Sequence, residues 1–154
     1  MTTVLEDIFM ADINWLDALP PYQSKSIQQL MDQGKSYEEI SILWLSANGP
    51  ANTYPFGANN TKSLFFEKLM EEVEHFICRE DKYTDEKKKL LTQFKAGDVY
   101  VVTFISAIIA PVVGATSVLI APAIALILMT VLRMGINAWC AVRIDLKQQN
   151  TDQT

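Results

Sequence analysis

Apolar and charged positions are segregated along this chain. From Val99 to Leu132 no residue is charged, whereas the residues before this run mix apolar and polar positions at helical spacing. Leu5, Ile8, Phe9, Trp15, Leu16 and Leu19 predict a helix over 3–19, stopped by Pro20 and Pro21, which lack a backbone donor and crowd the preceding turn. Ile27, Leu30 and Met31 predict a second helix over about 24–33, closing at Gly34. A third starts at Ser36, which forms an S-x-x-E capping box with Glu39, and carries Ile40, Leu43 and Trp44. A fourth, over about 61–80, aligns Phe65, Leu69, Val73 and Phe76 beside Phe66, Met70 and Ile77, with Glu67, Lys68, Glu71, Glu72 and Glu74 off that face. A shorter charged helix, "TDEKKKLLTQFK", follows with Thr84 as its cap.

The uncharged run is too long for one membrane crossing, which takes about 20 apolar residues with a lower limit near 17. Divided at "VVGATS" it makes two arms near that limit. Gly114, Thr116 and Ser117 suit the turn, Pro111 and Pro122 flank it, and the second arm is expected to continue past Arg133 to about Val142. The predicted fold is therefore all-α. A small N-terminal helical bundle (1–98) precedes an apolar helical hairpin of two membrane crossings (99–142) and a polar tail (143–154).

Charge sharpens this division. The net charge is −5, and sixteen of the 18 acidic and ten of the 13 basic residues precede position 99. An acidic chain without a basic stripe lacks the footprint needed to hold a phosphate backbone, so no nucleic acid is expected. "LMDQGKSYEEISILWL" resembles the opening half of a helix-turn-helix, but "SANGPANTYPFGANN" puts breakers where the DNA-reading helix would begin. The opening residues carry Glu6, Asp7, Asp12 and Asp17 and no basic n-region, so they do not read as a secretory signal. Two cysteines, Cys78 and Cys140, can make one bridge and do not form a disulfide framework, which favours free thiols in a reducing compartment.

Candidate chemistry is sparse. Glu72 and His75 stand at the i, i+3 spacing that diiron bundles use twice, but His75 is the single histidine, and no metal or cofactor is expected. His75 and Cys78 also lie one turn apart without a third orienting group, and are expected to flank the apolar face and pack. Phosphate-cradling glycine loops and nucleophile elbows are absent from the sequence, so the chain does not read as an enzyme. Tyr54 and Phe56, set among the breakers of the long loop, are candidates for contact with a protein partner.

These features point to the bilayer. Lys87, Lys88, Lys89 and Lys95 precede the hairpin, Arg143 and Lys147 follow it, and its turn is uncharged, so the positive-inside rule keeps both termini inside at the cytoplasmic membrane. Trp139 and Tyr100 then fall at one interface. On a second arm reaching Val142, Arg133 would lie about 14 Å deep at 1.5 Å per residue, as an anchor or a pore-lining charge. Ala107, Ala110, Gly114, Ala121 and Ala125 would let helices approach closely in a homo-oligomer. Residues 99–142 resemble, in physical character alone, the apolar hairpin of colicin-type pore-forming domains, which is hidden among amphipathic helices and released into a bilayer. By analogy of architecture, the plan fits a small membrane-disrupting effector controlled by the part before the hairpin. The alternative is a soluble helical interaction module that buries the hairpin in an oligomer.

Overall fold

A computed structural model describes residues 15–48, 58–79, 82–93 and 100–152. These residues form a 3-10 turn, Trp15–Ala18, and seven helices: α1 (Pro21–Asp32), α2 (Tyr37–Asn48), α3 (Ala58–Cys78), α4 (Thr84–Gln93), α5 (Val101–Val113), α6 (Ser117–Met134) and α7 (Ile136–Asp152). No strand occurs among them, and the all-α class holds.

The helix ends follow the local chemistry. Pro21 opens α1, where its missing donor is harmless. After α1 the chain turns at Gly34 (φ +86°), whose N–H donates to the Met31 carbonyl while that of Lys35 reaches the Leu30 carbonyl, closing a Schellman motif. The Ser36 hydroxyl accepts from the Glu39 backbone N–H at 3.1 Å and so caps α2. The hairpin turn also lies where the small residues place it. Gly114 (φ +77°) ends α5, and the Thr116 side chain accepts from the Leu119 N–H to start α6.

Of the helix predicted over 3–19, residues 3–14 lie outside the described residues, and Trp15–Ala18 form a 3-10 turn whose Trp15 and Leu16 are buried. Two expectations change. The second arm does not run on to Val142, because α6 stops at Met134 and Gly135 (φ 88°, ψ 145°) redirects the chain into α7. That backbone conformation is essentially confined to glycine, which makes Gly135 a stop rather than a packing residue. The first arm is shorter than a crossing requires. At 13 residues α5 is about 20 Å long, two thirds of a hydrocarbon core of about 30 Å. Among the described residues one helix, α6, reaches the length of a span.

Helix α6 is the axis of the bundle. It packs chiefly on α2 and α5, with further contacts to the 3-10 turn, α7 and α1, and α3 closes the far side against α2, α5 and α7. All six residues from Ala123 to Leu128 are buried. A helix covered on every side over nearly two turns is what an all-round apolar sequence demands in water. Trp15, Ile27, Ile40, Phe66, Leu69, Phe76, Leu90 and Ile105 complete the core around it.

Candidate functional site

The apolar hairpin is held in the bundle at two places, one near each end of α6. The first arises from Pro122, the sixth residue of α6. Proline supplies no N–H, so the carbonyl four residues earlier, that of Val118, loses its helical donor. The buried Gln23 side chain of α1 fills the vacancy, its Nε2 donating to the Val118 oxygen at 3.3 Å. Beside it, Trp44 of α2 donates its indole Nε1–H to the Leu119 carbonyl at 2.8 Å. Two helices of the N-terminal part thus grip the backbone of the apolar helix where a proline opens it. Pro111, by contrast, stands near the exposed end of α5.

The second place is the seam between α3 and α7. Cys78 and Cys140 form a disulfide with Cα atoms 5.7 Å apart, which overturns the expectation of free thiols. Their separation of 62 residues gives no sequence signal of proximity, and it is the hairpin between them that returns the chain to α3. Closing a loop of that length restricts the unfolded chain by about 4 kcal/mol in the chain-entropy account. One turn from the bridge on both helices, Arg143 donates to Glu74 through Nε at 3.0 Å, and the Arg79 Nε lies 3.8 Å from the other oxygen. Glu74 is fully buried, although its position off the apolar stripe predicts a solvated face. A second packing surface, α7, covers it and supplies the charge it needs.

Glu72 belongs to a neighbouring polar cluster. It accepts from Lys82 Nζ at 2.7 Å and from the Tyr83 hydroxyl at 2.6 Å. Burial pushes its carboxyl up, but the hydrogen bonds from Lys82 and Tyr83 and the Lys82 charge outweigh it, leaving the group below the ordinary value. Burial and the adjacent Glu72 carboxylate raise the Tyr83 phenol. Tyr83 adopts φ 62°, unusual for a bulky residue, and its ring lies 5.6 Å from that of Phe76. A carboxyl lowered by folding contributes stability that is complete above its unfolded value, near 4.5, and lost as pH falls through the folded one. Urea denaturation below pH 4.5 should therefore show a loss of stability that Glu72→Gln reduces; an identical acid response in the variant would dismiss Glu72 as its source.

The other predicted residues separate. Arg133 lies in the last turn of α6, one residue from its end, with its guanidinium 5.4 Å from the centre of the Tyr37 ring. Depth of about 14 Å no longer applies, because the helix that would bury the arginine ends beside it. Arg133, Lys35 and Tyr37 edge a groove of about 340 Å³ floored by Phe66, Leu126 and Ile127. Trp139 is buried rather than set at a surface. His75 lies 3.8 Å from Glu72 and packs as a half-buried side chain, while Cys78 is committed to the bridge. Lys87, counted above among the flanking cations, is buried and donates to the Arg79 carbonyl. Tyr54 and Phe56 fall outside the described residues. Among the described residues no group of three or more His, Cys, Asp or Glu side chains converges as a metal site. No family model, no curated protein and no solved structure significantly matches this chain.

Proposed function

We propose that this is a small membrane protein in which α6 is the segment that crosses the bilayer and the folded bundle is the form that shelters it. The observation that carries this reading is α6 itself. Its 18 residues have a mean hydropathy of 2.2, and its single charge, Arg133, stands at one end. The hairpin tip agrees, since its turn is uncharged and Val112 and Val118, in the helix ends on either side, are exposed. An exposed apolar tip joined to a spanning-length helix is suited to entering lipid first.

The site of action is the cytoplasmic membrane, and the acidic part before residue 99 governs access to it. Assembly of several copies through the small residues of α5 and α6 would make the protein a pore-forming or membrane-disrupting effector. No catalytic step belongs to this reading. The test is fractionation of the expressed chain. Resistance of the membrane pellet to carbonate supports α6 as a span, and full recovery of the reduced chain as a soluble monomer would reject it.

Arg133 separates anchoring from conduction. At the end of α6 it suits a headgroup anchor, so Arg133→Glu should lower the carbonate-resistant fraction several-fold. A pore-lining arginine would instead leave insertion intact and move channels in planar bilayers toward cation selectivity.

A second reading rests on a different observation, the complete burial of α6 from Ala123 to Leu128. A helix so covered also serves as the core of a soluble interaction module, whose groove beside Arg133 and Lys35 would meet the partner. Gel filtration of the reduced chain without detergent distinguishes the two, because this module elutes as a monodisperse species and leaves no membrane fraction.

A further inference from the structure

We propose that the Cys78–Cys140 bridge is a reducible latch that keeps α6 out of the membrane. The proposal rests on the membrane reading above and adds to it what controls the crossing. Cys78 ends α3 and Cys140 lies in the first turns of α7, so the bridge encloses both arms of the hairpin.

Topology then limits what a bilayer can do with the chain. Two residues joined by a disulfide lie on the same side of a membrane, which requires an even number of crossings between them. Helix α5, with 13 residues, is too short to supply the second crossing. While the bridge is closed, α6 cannot cross alone, because Cys78 and Cys140 would be carried to opposite faces. The Glu74–Arg143 pair reinforces the closed state from one turn away, and moving α7 off α3 would uncover a carboxylate that is now fully buried.

The latch is open to chemistry. Both cysteines are only partly buried, within reach of a small reductant at the α3–α7 seam. A dithiol attacks one sulfur, forms a mixed disulfide and leaves as its own cyclic disulfide. Two electrons and two protons pass to Cys78 and Cys140, the S–S bond breaks and two thiols remain. Helix α7 is then tied to α3 by the ion pair and packing alone, and α6 is free to separate the two cysteines across the bilayer.

The experiment uses the oxidised full chain, its bridge verified by intact mass, mixed with vesicles of phosphatidylethanolamine and phosphatidylglycerol. Carbonate-resistant pelleting is read with and without dithiothreitol, and the side reached by the C-terminal tail is read by protease protection. Reduction should raise the resistant fraction at least ten-fold and move the tail to the face opposite residues 1–98. Cys78→Ser with Cys140→Ser should insert without reductant and ignore it. Phe76→Ala, kept oxidised, controls for mere loosening of the fold, since it weakens the core with the bridge intact and should stay out of the membrane. Circular dichroism verifies that each variant remains helical before mixing. Equal insertion of the oxidised and reduced chains, or insertion of oxidised Phe76→Ala, would overturn the latch and leave the membrane reading standing. Failure of every form to insert, the double serine variant included, would overturn both.

Discussion

Replacing Arg143 with alanine should destabilise the folded chain by about 3 kcal/mol, measured by chemical denaturation of the oxidised protein at neutral pH. The size follows from its partner rather than from the arginine. Glu74 is 0% exposed, and Arg143 holds one of its oxygens at 3.0 Å. Loss of the guanidinium takes a charge-assisted hydrogen bond from a carboxylate that water cannot reach, and the Arg79 Nε stands 3.8 Å from the other oxygen. Exchanging Glu74 and Arg143 together for methionine should restore most of the loss, because the pair is then replaced by packing and no charge is left buried. A single-variant effect below about 1 kcal/mol, the range of an exposed pair, would mean that water screens this seam.

Leu128→Ala should remove a similar amount, about 3 kcal/mol, through the cavity it leaves in α6. Leu128 is 0% exposed and closes a six-residue stretch buried on all sides. The substitution also weighs the two lives of this helix against one another. A leucine contributes only about 0.6 kcal/mol to insertion at the centre of a membrane span, so alanine there leaves α6 apolar enough to cross. The variant should unfold earlier in urea yet, once reduced, enter vesicles at least as readily as the reduced parent. Parallel loss of folding and insertion would mean that α6 enters the membrane only as part of the intact bundle.

What could be read from the sequence divides along physical lines. Helix ends announced themselves where one residue supplies the device: Ser36 with its hydroxyl, Gly34 and Gly114 with positive φ, Thr116 as an acceptor. Gly135 did not, because a glycine in an apolar run reads equally as a close-packing residue and as a stop, and only its backbone angles decide. The α3–α7 seam was invisible for a different reason. Cys78 and Cys140 are 62 positions apart and Glu74 and Arg143 are 69 apart, and periodicity speaks only of neighbours within one helix. Glu72 and Glu74 consequently read as solvated, and Lys87 as a free flanking cation. Periodicity also could not say whether α6 is surrounded by lipid or by protein, since both surroundings select the same residues. The interior it makes in the bundle emerges only when α2, α5, α7 and the 3-10 turn are placed around it.

Pro122 has a consequence for the passage between those surroundings. The Val118 carbonyl that it frees belongs to the second residue of α6, so any crossing by this helix would set that oxygen at the edge of the hydrocarbon, among hydrated headgroups. Water there can replace the Gln23 amide that holds the oxygen in the bundle, and the exchange leaves no acceptor dry. The same proline at the middle of the helix would carry an unsatisfied carbonyl into the lipid. Its position lets one backbone oxygen serve as a handle in the folded chain and as a wetting point at a bilayer surface.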